Sequence, residues 1–343
     1  MCGVASLARS NIRIADRSFD VVGDESYLAQ CGSDFEPQTV ALLRALSDPD
    51  SHVIDVGANI GLTTIAVSVF CPKGRVIALE PVPRTYRFLE DNIRVAGASN
   101  VTLVPYGASG RAGSVRMEMA PNSVAGAFVA DSYSFSGHDA VEVDVKRLDD
   151  VISECDVDGV DLVKIDVEGS ELKVLSGALG MLEKSQPRLL LEMNHWCLNM
   201  FQRMTLPEFR EQLLDLVPHV FAVDGGSMMD LRSDEPWHIV AHNHLTQFRF
   251  SDIIAGFDRD DLLRRFEWMR STTTLDGFGL CGPIDRAHAI NAQVVAERDQ
   301  AVSERDATRA ELEQARAELE GVAQSRSWRW TRPLRRTPPR HHD

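Results

Sequence analysis

The 343-residue sequence predicts a doubly wound α/β fold: a mostly parallel, seven-stranded sheet with helices on both faces and a helical appendage at the C-terminal end. Three observations carry this. Short runs of Val, Ile and Leu alternate with longer segments of helical period. The run Val53-Ile54-Asp55-Val56 leads into Gly57-Ala58-Asn59-Ile60-Gly61, the pattern of a strand, a glycine turn and a helix start. The run from Val76 to Leu79 ends in Glu80, 25 residues after Asp55.

Taken in order, residues 1–33 form an N-terminal extension in which Ile12, Ile14 and Phe19 to Val22 suggest a short strand or two. Residues 36–46 have helical period, with Val40, Leu42, Leu43 and Leu46 apolar. The strand at 53–56 is followed by a helix over 60–70, which Pro72-Lys73-Gly74 stops. A strand at 76–79, a helix over 84–96 closed by Gly97, and a strand at 101–104 continue the rhythm. Residues 112–145 break it: 114–119 and 141–145 alternate polar and apolar, predicting an antiparallel excursion around a polar loop, Asn122 to Asp139. A short helix at 148–154, a strand at 162–165, a helix over 170–182 and a strand at 188–193 follow. The expected last elements are a helix over 206–216 and strands at 220–223 and 237–250.

In an open parallel sheet, ligands sit at the carboxyl ends of the strands, where a glycine turn lets backbone approach the ligand. An acid at the end of the next strand is placed to meet a ribose hydroxyl. The chain is therefore expected to bind an adenosine-containing cofactor. The dinucleotide fingerprint is broken, since Asn59 and Leu62 stand at its second and third glycine positions, and no Gly-Lys-Ser/Thr follows for a phosphate loop. An Asp/Asn-edged glycine turn suits an ammonium better than a phosphate.

The Asp-x-Gly-x-Asn-x-Gly turn with its strand-end acid resembles motif I of the S-adenosylmethionine-dependent methyltransferases. The segment Ile165-Asp166-Val167-Glu168-Gly169 resembles the signature of the FkbM-type methyltransferases, as do Glu36-Pro37 and Glu192 at the end of the next strand. The likeness runs from about Asp34 to Val223. It implies a Rossmann-like methyltransferase fold with a late antiparallel strand, S-adenosyl-L-methionine as cofactor, and O-methyl transfer to a hydroxyl. It further implies Glu36, Asp55, Gly57, Asn59, Gly61, Glu80, Ala108 and Asp166 as cofactor-binding residues. Ala108 lies in Pro105-Tyr106-Gly107-Ala108-Ser109-Gly110, where the chain departs from the family's Asn-Ala-Ala-Leu-Ser-Asp-like run.

Methyl transfer needs alignment of donor and acceptor, and a hydroxyl acceptor benefits from a nearby base. His195 is the candidate base, because imidazole titrates near neutrality. Asp166 and Glu168 are the other catalytic candidates, able to orient or deprotonate the acceptor; Glu192 and Asn194 share their neighbourhood. Each has a structural counterpart: Asp55 ordering the turn, Glu168 complementing a helix dipole, His195 simply hydrogen-bonded beside Trp196. His238, His242 and His244 lack a well-placed third ligand, so no metal is expected. Asn122, Ser123, Tyr133 and Ser134 of the polar loop are candidates for sugar contacts.

Composition narrows the partners. A hydrophobic content of 44% and a charged content of 25% are ordinary for a globular chain. The formal net charge of −15 argues against nucleic acid, which wants a basic face. Six scattered cysteines without a Cys-x-x-Cys pair suggest reduced thiols in the cytoplasm. No apolar run approaches the roughly 20 residues of a membrane span, and no secretory signal is evident. The methyltransferase domain is expected over 34–283. Residues 286–325 read as a long charged helix, whose heptad from Leu312 to Val322 fades upstream, leaving a lone helix and a homo-oligomeric coiled coil both open. The tail, 326–343, carries six arginines with Trp328 and Trp330, a mixture suited to the anionic inner face of a membrane. The sequence therefore points to a methyltransferase acting on a sugar or glycan hydroxyl in surface-polysaccharide assembly. The alternatives are a nicotinamide-dependent oxidoreductase and a non-catalytic scaffold in a glycan-assembly complex.

Overall fold

The computed structural model describes residues 7–119, 128–129 and 139–272. The chain divides into two compact units, Met1–Gly282 and Pro283–Asp343, and every described residue lies in the first. The expected appendage, the tail and most of the polar loop lie outside the described residues.

The chain opens with a hairpin, β1 (Leu7–Ile14) and β2 (Arg17–Asp24), then α1 (Glu25–Cys31) and α2 (Pro37–Leu46). The first βα units are β3 (Val53–Val56), α3 (Leu62–Phe70), β4 (Val76–Leu79), α4 (Pro83–Ala96) and β5 (Val101–Val104). A second sheet contains β6 (Gly107–Ala108), β7 (Gly113–Met119), β8 (Phe128–Val129) and β9 (Asp139–Lys146). The chain returns through α5 (Leu148–Glu154), β10 (Leu162–Ile165), α6 (Glu171–Ser176), α7 (Leu179–Ser185) and β11 (Arg188–Glu192). A short α8 (His195–Cys197) runs into a π-helical turn, Leu198–Gln202. Then come α9 (Leu206–Leu216), β12 (His219–Asp224), β13 (Ser227–Asp230), α10 (Asp234–Gln247), β14 (Asp252–Gly256) and α11 (Arg259–Thr272).

The main sheet has the order β13-β12-β14-β11-β10-β3-β4-β5. The five strands from β11 to β5 are mutually parallel, and β14 runs against both β11 and β12. The parallel strands run outward in chain order, β3-β4-β5 on one side and β10-β11 on the other, so the switch point lies between β3 and β10, where ligands of α/β sheets bind. The sheet has eight strands rather than the seven expected, because β13 folds back on β12 as an edge hairpin. All four residues of β3, β4 and β10 are buried, as strands covered on both faces must be.

Two expected elements differ. Residues 234–247 form helix α10, not a strand: Asp234 and Glu235 complement its N-terminal dipole, and Trp237, Val240 and His244 are buried at 3-4 spacing. His242 and His244 therefore do not share a strand face. The expected helix over 170–182 is two helices, because the Asp149 carboxylate accepts the Gly180 and Met181 amides at 3.1 and 2.9 Å and starts α7 afresh. The N-terminal hairpin packs on the domain, with Ile12, Ile14 and Val21 in one cluster with Leu62, Ile65 and Leu89. The buried Asn92 of α4 fastens it, accepting the Val22 amide at 2.7 Å and donating to the Val22 and Ile60 carbonyls.

Candidate active site

The turn after β3 is left-handed at three residues: Gly57 (φ 76°), Asn59 (φ 51°) and Gly61 (φ 97°). Gly57 is required by packing as well as by conformation. A Cβ there would come within 2.0 Å of the Asp166 carbonyl, where the ends of β3 and β10 cross. Glu80 lies against this turn. Its carboxylate accepts the Asn59 amide at 3.1 Å and the Val82 amide at 2.9 Å, and burial pushes its pKa up to about 7. A carboxylate with two such bonds keeps lone pairs for ligand hydroxyls.

Asp55 holds the turn from within. It is 1% exposed; one oxygen accepts the Thr63 and Thr64 hydroxyls, each at 2.7 Å, and the other lies 3.4 Å from the Lys164 ammonium. The Thr63 and Thr64 bonds tie it to α3; the oxygen facing Lys164 has no hydrogen-bond partner among the described residues. Lys164 also donates to the Gly57 carbonyl at 3.0 Å and lies 3.5 Å from Asp166. These carboxylates keep it firmly charged despite its burial.

The sequence candidates Asp55, Gly57, Asn59, Gly61, Glu80 and Asp166 thus meet at the switch point. Asp166 presents a side chain 44% exposed, beyond the end of β10. Glu168, left-handed at φ 52°, accepts the Cys197 thiol at 3.1 Å. The turn between them is tied by buried Glu171, whose Oε1 accepts the Val167 and Gly169 amides, both at 3.1 Å. Glu171 Oε2 has no hydrogen-bond partner among the described residues, and burial raises the carboxyl to about 8. Glu192 ends β11 directly across from Asp252 of β14, and burial together with Asp166 and Glu168 raises it well above the carboxylate range. Gln38 donates to Asp252 and accepts the Gly225 amide at 2.6 Å. Glu36 stands at the N-terminal edge of α2 with φ 29°.

Two candidates sit further out. Ala108 is in β6, paired with Lys146, and its neighbour Gly107 lies against Pro81, next to Glu80. His195 begins α8, its ring edge-on to His244 at 5.0 Å and tilted on Phe248 at 5.7 Å. His244 is fully buried and tautomerically fixed. Its Nδ1 lies 2.8 Å from the Arg249 carbonyl, so it must be the donor, leaving Nε2 to accept the His195 amide at 3.3 Å. Burial lowers the His195 pKa, keeping the imidazole neutral at pH 7.

Lys164 and Glu171 are not among the residues that the sequence singles out as site candidates, and His244 enters there only through the rejected metal reading. Lys164 had a usable signal, a charged residue inside the apolar run Leu162 to Ile165, although its place opposite Asp55 is set by the strand register. Glu171 had none, and the histidine spacing that drew attention to His244 did not point to its role, since the partners of both are backbone groups brought in by the fold.

Acids gather at this end of the sheet, with Lys164 packed among them. A ligand carrying a ribose diol and cationic groups complements these acids, whereas two phosphates would face carboxylates. A mostly parallel sheet reversed at β14, with such a cluster at its switch point, is the fold of the Rossmann-like methyltransferases. More narrowly, residues 55–217 match the model of the Methyltransferase FkbM domain. The chain is 33% identical to the methyltransferase sdnD of Sordaria araneosa over 154 residues, 36% of this chain and 59% of that protein. It is 30% identical to the hexuronic acid methyltransferase AglP of Haloferax volcanii, over 43% of this chain and 58% of that one. It is 31% identical to the 31-O-demethyl-FK506 methyltransferase FkbM of Streptomyces tacrolimicus, over 38% and 60%. The chain thus spans less than two thirds of the length of these relatives.

Proposed function

We propose that the protein is an S-adenosyl-L-methionine-dependent O-methyltransferase whose acceptor is a sugar or glycan hydroxyl, serving surface-polysaccharide assembly. The observation that carries the cofactor half is the cluster of acids at the switch point, with Glu80 holding the glycine turn. The acceptor half is supported by the hexuronic acid and O-demethyl substrates in the names of the relatives.

The cofactor supplies a methyl group already activated as a sulfonium. This chain's residues do the rest. Glu80 accepts ribose hydroxyls through its remaining lone pairs. Asp166, the exposed acid of the cleft, holds the ammonium. The Gly57–Gly61 backbone permits close approach. His195, neutral at pH 7, takes the proton of the acceptor hydroxyl, a role typically worth about 10²–10⁴-fold in rate; Asp166 and Glu168 orient that hydroxyl. The nicotinamide alternative is disfavoured by the acids that a pyrophosphate would meet.

The test is to incubate the full chain with methyl-labelled cofactor and hexuronic-acid or neutral oligosaccharides, and to read label transfer by mass spectrometry. Transfer to oxygen, sharply reduced in His195→Ala with cofactor affinity kept, supports the reading. Tight cofactor binding without transfer to any saccharide refutes the acceptor assignment and favours a scaffold.

A further inference from the structure

Lysine is seldom buried without a partner, and Lys164 is 4% exposed. It stands in mid-β10, opposite Asp55 in the register, so both side chains leave the same face of the sheet. Its ammonium contacts three groups of different kinds. The Gly57 carbonyl, 3.0 Å away, belongs to the glycine turn. Asp55, at 3.4 Å, is sealed inside the domain with its other oxygen bound to Thr63 and Thr64. Asp166, at 3.5 Å, is open to the cleft. One fixed positive charge thus sits behind the cleft wall and links the sealed interior to the open edge.

We propose that Lys164 is a positioning residue that sets how strongly the cleft prefers the cationic cofactor to its neutral demethylated product, S-adenosylhomocysteine. The proposal rests on the cofactor assignment made under the proposed function. The two ligands share every polar group and differ by one methyl and one positive charge on sulfur. The carboxylates around the cleft favour that charge, and the ammonium behind them opposes it, with Lys164 and Asp55 themselves buried from solvent. The balance matters because the sulfur loses its charge as the methyl leaves. A wall that overstabilises the sulfonium favours the starting complex over the transition state.

Calorimetric titration of both ligands at low salt tests this. In Lys164→Met, which keeps length and removes charge, the affinity ratio of cofactor to product is expected to rise roughly threefold to tenfold, whichever way the absolute affinities move. Lys164→Arg is expected to restore the wild-type ratio. A lysine that only props the turn would weaken both ligands alike, and an unchanged ratio in folded Lys164→Met overturns the proposal. Should Lys164→Met fail to fold, Lys164→Gln removes the same charge while keeping a polar end and must raise the ratio; a ratio that stays put overturns the proposal equally. A wild-type protein that binds neither ligand refutes the cofactor assignment itself and this inference with it. Binding of both ligands with no shift in either variant refutes only the role of Lys164.

Discussion

Among single residues, Glu80 carries two loads at once. It orders the turn through the Asn59 and Val82 amides and, in the proposed function, accepts the ribose hydroxyls with its remaining lone pairs. Glu80→Ala is expected to cost roughly 1.5–3 kcal/mol of cofactor affinity, the worth of hydrogen bonds to a charged group. Calorimetry on protein shown to be folded by circular dichroism reads this, and unchanged affinity removes Glu80 from the ribose role. Glu80 and Glu171 also make stability depend on pH. Their folded values, about 7 and about 8, lie above the usual 4.5. The folded state therefore keeps protons that the unfolded chain has released. The contribution is fully present below 4.5 and is lost as pH rises through 7 to 8. His195 and His244, lowered by burial, act in the opposite sense but only below the ordinary histidine value of 6.5. Between about pH 6.5 and 8.5 the ligand-free protein should lose stability, by up to about 1.4 kcal/mol per pH unit for each carboxyl. Thermal melts across that range should show a falling Tm, with a shallower fall in Glu171→Gln. A Tm that rises would contradict the assignment.

Among the elements, the N-terminal hairpin depends on one side chain supplied by another. Asn92 makes all three of its bonds to the Val22 and Ile60 backbone in a buried setting. Asn92→Ala would strand those groups away from water, so a loss of roughly 2–4 kcal/mol is expected. Urea unfolding measures the loss. Hydrogen exchange should show faster exchange in 7–24 while β3 and β10 stay protected; uniform protection would mean the hairpin stands without Asn92. Helix α10 and the α6/α7 break show why element type was hard to read from the chain. The 237–250 stretch alternates loosely enough to pass for a strand, and only the burial of Trp237, Val240 and His244 on one side settles its period. The break at Gly177 depends on Asp149, which lies in another helix.

Across the molecule, the core and the segment after 283 are expected to be separable. Residues 286–325 have few large apolar side chains, so they have little to bury against a core. Deleting 286–343 should leave a folded chain that binds the cofactor and should change self-association or membrane attachment. The arginine-rich tail offers about 1 kcal/mol per basic residue near an anionic surface, screened by salt. Sedimentation and flotation with anionic vesicles, run on full-length and truncated protein, read both roles. Failure of the truncated chain to fold places the boundary elsewhere. Equal flotation and monomeric sedimentation of both forms would assign the segment neither role.

The alternation of strand and helix, the glycine turn and the acid at the end of the following strand were all legible in the chain. Each is a local pattern with a local cause: β-branched runs, left-handed φ values that glycine tolerates, and a fixed spacing between neighbouring strand ends. The placing of the glycine-turn residues beside Glu80 was legible because a βα unit sets it by its own geometry. Folding was needed to establish that Asp55 faces inward, that Lys164 neutralises it across the register, that Glu171 ties the Asp166–Gly169 turn, and that His244 locks the His195 backbone. These residues act on groups that are distant in the chain or set by the turn it adopts. Burial, which sets both their protonation and their worth, arises only when the strands are laid side by side.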